Sequence, residues 1–372
     1  MADFKSIVLR VASAVFRLFP IRKKRVLLQT FQGEFCCNPK YVTEPLAAQA
    51  GVEVVWALSR MADAQSLPSG VKVVRKGSLR YCLAAATSKV WFENGLNFVR
   101  SPYIRKRRSQ VYFQPLHGSL GLKRQGLAGA DIRAKADAVT DYCISNSAFE
   151  DGVYRTSYWP TTEILRYGHP RNDVFFMNAD KKSRISARVR EALGVGAQAR
   201  LALYAPTFRP DGNTSCLDLD PVMLKSALER KFGGEWTVLF RLHKRDAARH
   251  KAPLGSWVDA SRYPDMQELM VACEVGITDY SSWICDYVLG EGYAFIYARD
   301  VEKYAENPGF YYPLETTPFP VARSNEELVA AIESFDPARY SRDKASFIES
   351  KGCVDDGHAS ERCVRKIMEV LG

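Results

Sequence analysis

The sequence predicts an α/β fold with parallel sheets in two domains, on three observations. Short apolar runs alternate with helical patterns along the chain. Those runs are continuously apolar rather than alternating, as strands covered on both faces are. The length of 372 residues also exceeds what one hydrophobic core ordinarily serves.

The strand candidates fall into two sets. KRVLLQTF, VEVVWAL, KVWFEN and QVYFQPLHG occupy the first half; ARLALYAPT, WTVLFRLH, CEVGITDYSS and YAFIYARD occupy the second. Residues 177–200 between them are polar and helical in pattern. The predicted organisation is therefore a first domain over 26–176 and a second over 177–372, with the last helix allowed to cross back. Residues 1–25 precede both. There Phe4, Ile7, Val8, Val11, Val15 and Leu18 recur at helical spacing, opposite Ser6, Arg10, Ser13 and Arg17, and Pro20 ends the pattern. Arginines interrupt the apolar stretch and no small-residue cleavage site follows, which disfavours a signal peptide.

Composition narrows the function classes. Hydrophobic residues make up 47% and charged residues 25%, as in a folded soluble protein. No apolar run reaches the roughly 18 to 20 residues of a membrane span. Nine cysteines without metal-type spacing, several in apolar segments (Cys82, Cys143, Cys273, Cys285), suit a reducing cytosol. The pair Cys36-Cys37 has no assigned role.

The net charge of +10 implies attraction to something anionic. Basic clusters at 22–25 and 105–108 beside an amphipathic helix suit the surface of an anionic leaflet. The alternative is a helix packed on its own protein, with solvated clusters. No interleaving of aromatic and basic residues points to nucleic acid.

In parallel sheets, ligands bind beyond the carboxyl ends of the strands. Those ends read Gln114-Pro115-Leu116-His117-Gly118, Ala205-Pro206-Thr207-Phe208-Arg209, Arg241-Leu242-His243-Lys244 and Thr278-Asp279-Tyr280-Ser281-Ser282, rich in histidine, cations and hydroxyls. His117, His169 and His243 stand in such loops rather than on apolar faces. With a strand over 275–278 and a helix over 282–289, Ser281 and Ser282 would sit where free amides and the helix dipole favour an anion. An ordinary serine N-cap is the competing reading. Asp218-Leu219-Asp220 precedes a predicted helix and is expected to cap it rather than to bind metal.

Several segments in order resemble the CDP-glycerol glycerophosphotransferases, which build teichoic acids and related capsule polymers. They are NPKYVTEPL, QPLHGSLGLKRQG, YGHPRND, LYAPTFR, FRLHKR, ITDYSSWICDYVLGEGYAFIYARDVEKYAENPGFYY and DDGHASER. Leu116 stands where that family has Trp, and Ser119 where it has Thr. The resemblance implies a GT-B fold of two Rossmann-like domains facing a cleft, with CDP-glycerol or another CDP-polyol as donor. It implies His117 as general base and His243 at the donor's pyrophosphate. Arg209, Arg241, Lys244, Asp279, Ser281 and Ser282 fall on the donor side, with Asp279 orienting rather than touching phosphate. Gly118, Ser119, Lys123, Arg171 and Asp173 fall on the acceptor side.

The chemistry follows from the residue types. A hydroxyl attacks the β-phosphorus, CMP leaves, and cations stabilise the developing charge while a histidine titrating near neutrality takes the proton. The expected partners are CDP-glycerol, a polyol-phosphate or lipid-linked acceptor and an anionic membrane surface on its cytoplasmic side. Neither a cofactor, an obligatory metal nor nucleic acid is expected. Two other classes share parts of the pattern: a GT-B glycosyltransferase using a CMP-sugar such as sialic acid, and a non-catalytic membrane-surface protein.

Overall fold

A computed structural model describes residues 4–122, 124, 130–207, 218–242, 257–306 and 309–372. Its strands form two sheets, every pairing parallel. The first contains β1 (Arg22–Gln29), β2 (Glu53–Leu58), β3 (Lys72–Arg75), β4 (Ser88–Glu93), β5 (Val111–Gln114), β6 (Tyr142–Ser145) and β7 (Glu163–Arg166), in the order β3-β2-β1-β4-β5-β6-β7. The second contains β8 (Arg200–Tyr204), β9 (Trp236–Phe240), β10 (Trp257–Asp259), β11 (Val275–Thr278), β12 (Tyr293–Tyr297) and β13 (Val321–Ala322), in the order β10-β9-β8-β11-β12-β13. All eight strand candidates are strands. The five not anticipated, KVVR, YCIS, EILR, WVD and VA, are two to four residues long.

The chain divides into two compact units. One comprises 1–117, 126–173 and 354–372; the other comprises 118–125 and 174–353. The segment 118–125 thus leaves the first unit directly after His117. Within the second unit its backbone pairs with 309–311, through Tyr311 N–H to Leu122 O and Arg124 N–H to Gly309 O, both 2.9 Å.

Strand alternation builds a core on each face of the first sheet. Leu27, Val55 and Ala57 join Tyr81, Trp91 and Trp159 on one side. Val26, Leu28, Val54, Trp56 and Leu58 join Val42, Leu46 and, from the C-terminal helix Ala359–Leu371, Cys363, Val364, Ile367 and Leu371 on the other. That helix is amphipathic and closes the second core.

The N-terminal helix, Phe4–Phe16, packs on the helix Leu79–Thr87 through the face carrying Leu9 and Ser13. Its apolar face points outward, with Phe4 80%, Val11 61% and, just beyond the helix, Leu18 83% exposed. The basic clusters are partly engaged. Arg25 is buried against Glu53 (2.8 Å) and Thr87 (2.6 Å), Lys106 pairs with Asp141 (2.5 Å), and Arg107 donates to Phe19 O (2.8 Å). Cys82, Cys143, Cys273 and Cys285 are buried. Asp220 caps the helix Pro221–Phe232, accepting from Val222 N (2.8 Å) and Met223 N (3.1 Å).

Candidate active site

Each sheet has one place where the strand order reverses, and ligands gather at such switch points. In the first sheet it lies between β1 and β4. There the Phe31 amide donates to Asn94 Oδ1 at 3.0 Å, tying the two strand ends together. Gly95 presses so close that a Cβ would stand 2.6 Å from Phe31 Cβ. Thr30 folds the chain back by accepting from the amides of Gly33 (3.1 Å) and Glu34 (2.9 Å).

His117 arrives here from the end of β5. Its ring stacks on Phe31 with centroids 4.5 Å apart and planes 13° from parallel. Its Nδ1 lies 2.7 Å from Asn94 O. A carbonyl only accepts, so Nδ1 carries the proton and Nε2 is left as the basic nitrogen. The side chain is exposed although its loop is buried on both sides of it.

Below these strand ends runs a buried polar layer. Glu93 is fully buried and accepts from Tyr112 OH (2.5 Å), Gln29 Nε2 (2.7 Å) and the Phe98 amide (2.9 Å). Burial holds its pKa above the ordinary carboxylate value. Lys76, just past β3, donates to Thr30 O at 3.2 Å, and burial lowers its pKa. The layer reaches the strand end at Gly95, whose carbonyl accepts from Gln114 Nε2 and Tyr112 OH.

The motif residues further along hold the chain together. Asp173 accepts from the amides of Ala359 (2.9 Å) and Ser360 (2.8 Å), at the start of the C-terminal helix. Arg171 is buried, and its amide donates to Asn38 Oδ1 at 3.1 Å. Asp355 accepts from the His169 amide (2.7 Å), Asn146 Nδ2 (2.7 Å) and Asn172 Nδ2 (3.2 Å). His169 is wholly buried with Nε2 against Glu150 (2.9 Å). Gly168, at φ +84°, would bring a Cβ to 3.0 Å from Asp355 Oδ1 and 3.1 Å from Ala359 Cβ, a tight fit in a conformation that already favours glycine. The YGHPRND and DDGHASER segments thus meet as one clasp.

In the second sheet the reversal lies between β8 and β11. Asp279 bridges it, with Oδ1 accepting from the amides of Thr207 (2.8 Å) and Tyr280 (2.5 Å). Thr278 Oγ1 donates to Ala205 O at 2.7 Å, and Trp283 Nε1 to the same oxygen at 2.9 Å. The expected helix over 282–289 is shorter, Trp283–Tyr287. Ser282 stands at its N-cap in helical conformation without a capping hydrogen bond from its side chain, and both serines are partly exposed. Arg241 follows β9 and donates from Nη1 to Tyr263 O (2.6 Å). Tyr280 stacks on Tyr304 at 4.0 Å and donates to Asp300 at 2.8 Å, stiffening the segment before the serines.

Of the residues expected from sequence, His117, Arg171 and Asp173 lie in the first unit. Gly118, Ser119, Arg241, Asp279, Ser281 and Ser282 lie in the second, with Gly118 and Ser119 buried. Lys123, Arg209, His243 and Lys244 lie outside the described residues.

Residues 11–369 match the family CDP-Glycerol:Poly(glycerophosphate) glycerophosphotransferase. The chain belongs to this family. It is accordingly a transferase that takes glycerol phosphate from CDP-glycerol.

A teichoic acid poly(glycerol phosphate) polymerase of Bacillus spizizenii is 25% identical, over 99% of this chain and 98% of the relative. The Staphylococcus aureus teichoic acid glycerol-phosphate transferase is 24% identical over 93% of each. Against the Bacillus subtilis teichoic acid poly(glycerol phosphate) polymerase, 25% identical, the chain spans about half (49%) of the relative's length. A solved structure of the wall teichoic acid polymerase TagF superposes with a TM-score of 0.82 at 24% identity, covering 99% of this chain and 96% of that one. The fold of the chain is therefore GT-B-like, with two parallel α/β sheets.

No site role was legible in the sequence for Phe31, Asn38, Lys76 and Asn94, and Gln114 entered only as one of the strand-end residues. Phe31 and Asn94 end two of the predicted strand runs, so the strand-end rule reaches them. What they lack is an imidazole, a cation or a hydroxyl, the groups for which those ends stand out. Lys76 follows β3, one of the strands not anticipated.

Proposed function

We propose that the chain transfers glycerol phosphate from CDP-glycerol to a hydroxyl of a lipid-linked or polymer acceptor in teichoic-acid-like polymer synthesis, with His117 as the general base. The observation that carries this is the 2.7 Å contact between His117 Nδ1 and Asn94 O, which leaves Nε2 unprotonated on an exposed side chain at the first sheet's switch point. The acceptor oxygen attacks the β-phosphorus as its proton passes to Nε2. A new P–O bond forms, the bond to the bridging oxygen of CMP breaks, and the electron pair leaves on CMP. Arg241 and the segment Asp279–Ser282, beside the second sheet's switch point, would hold the donor's phosphates. Asp279 acts there by fixing Thr207 and Tyr280, since both amides bind its Oδ1.

The reading extends to a peripheral position on the cytoplasmic face of an anionic membrane. No helix among the described residues is long and apolar enough to cross a membrane. The outward apolar stripe of Phe4–Phe16 is flanked by a small cavity lined by Arg10, Arg17 and Arg105, the arrangement of a helix lying at the level of lipid phosphates.

The test is incubation of the purified protein with CDP-glycerol and a synthetic lipid-linked acceptor, with CMP release and product mass followed together. CMP-sialic acid serves as the competing donor. Addition of glycerol-phosphate units only from CDP-glycerol is the expected result; transfer from CMP-sialic acid instead would overturn the reading.

A further inference from the structure

We propose that Asn38 is a positioning residue for His117: its side-chain amide locks the Leu116 peptide in a left-handed conformation and so sets the direction in which the imidazole emerges. This rests on His117 being the base.

Leu116 has φ +46°, in the region that favours glycine. Glycine is nevertheless absent there, because the leucine side chain is buried in the core on one face of the first sheet. A bulky residue in this conformation is strained and persists only where its surroundings over-determine it. Here both ends of the residue are gripped. Its amide donates to Gln114 Oε1 at 2.9 Å, and its carbonyl accepts from Asn38 Nδ2 at 2.9 Å. Gln114 is itself fixed by Nε2, which donates to Gly95 O and to Tyr112 OH (2.9 Å).

Asn38 lies in the first turn of the helix Cys37–Ala47 and is fully buried. Its other atom, Oδ1, accepts from the Arg171 amide at 3.1 Å. One side chain therefore joins the NPK segment, the PLHG loop and the HPRND segment. A side-chain amide alone suits this place, since it donates to one backbone strand and accepts from another. Without the donor, the Leu116 peptide is free to relax toward negative φ. That swings His117 away from Asn94 O and releases the constraint on which nitrogen is protonated.

Asn38→Asp separates the two contacts, because a carboxylate still accepts from Arg171 but no longer donates to Leu116. Two readouts are compared with the parent. In protein labelled with 15N-histidine, the His117 signals, identified by their loss in His117→Ala, report the tautomer above the imidazole pKa. The parent is expected to be the Nδ1–H form, and Asn38→Asp a mixture. In the transfer assay, kcat is expected to fall by about 10- to 100-fold, the scale of a misplaced catalytic group, with KM for CDP-glycerol within about twofold.

Leu116→Gly placed in the Asn38→Asp background is expected to restore part of both, because glycine adopts φ +46° without a clamp. Should a buried carboxylate prevent folding, Asn38→Ser, neutral and too short to reach Leu116 O, still removes the Leu116 contact, though it gives up the one to Arg171 as well. A single Nδ1–H tautomer and parental kcat in a folded Asn38 variant would overturn the proposal. If His117→Ala kept normal turnover, the base assignment would fail, while the tautomer measurement would still decide whether Asn38 orients the ring.

Discussion

His117 donates from Nδ1 to the carbonyl oxygen of Asn94 across 2.7 Å, and the same ring lies flat on Phe31. Asn94 also receives the Phe31 amide on its side chain, so one residue orients both the imidazole and the ring on which it rests. The contact and the stacking together leave the ring little freedom to turn.

His117→Ala should lower turnover by about 10² or more, the scale of lost general-base catalysis, while CDP affinity stays near the parent's. Steady-state rates and calorimetric CDP binding check this. Normal turnover in the variant would remove His117 from the mechanism.

Ser281 and Ser282 distinguish donor binding from capping. Ser282 makes no capping hydrogen bond through its side chain, so changing both serines to Asp removes none and leaves the melting temperature close to the parent's. Negative charge placed against a pyrophosphate should largely abolish CDP-glycerol binding. A double variant that binds the donor normally would return the stretch to an ordinary helix start.

The N-terminal helix has two faces with different expected sensitivities. Val11→Asp is expected to leave thermal stability unchanged and to weaken binding to anionic vesicles, because Val11 is exposed. Leu9→Ala, at a buried position, should cost roughly 2–4 kcal/mol of stability. Vesicle co-sedimentation and denaturant titration read the two effects. Equal vesicle binding by Val11→Asp and the parent would argue against the anchoring face.

Glu53 gives the first unit a defined acid sensitivity. The hydrogen bond from Arg25, opposed by partial burial and aided by Lys72, lowers its pKa from 4.5 to about 2. A carboxylate depressed in the folded state contributes stability above its unfolded pKa and loses it as pH falls toward the folded one. Glu53→Gln should therefore melt below the parent at pH 7, with the gap closing between about pH 4.5 and about pH 2. A gap independent of pH would assign the effect to packing rather than to charge.

The sequence by itself determined eight of the strands, since a continuous apolar run between helical segments has little alternative to a buried parallel strand. It also located His117, Asp279 and the two serines at strand ends, because strand ends are local features. It marked the YGHPRND and DDGHASER segments but not their use. A carboxylate reads the same in sequence whether it faces a substrate or, like Asp173, the first amides of a helix more than 180 residues away. The N-terminal periodicity defined two faces, and only packing decided that Leu9 and Ser13 turn inward. The geometry around His117 was likewise tertiary. Leu116 stands at φ +46° with its amide bonded to Gln114, two residues earlier, and its carbonyl to Asn38, 78 residues earlier, and no local preference of leucine predicts a conformation supported by so distant a group.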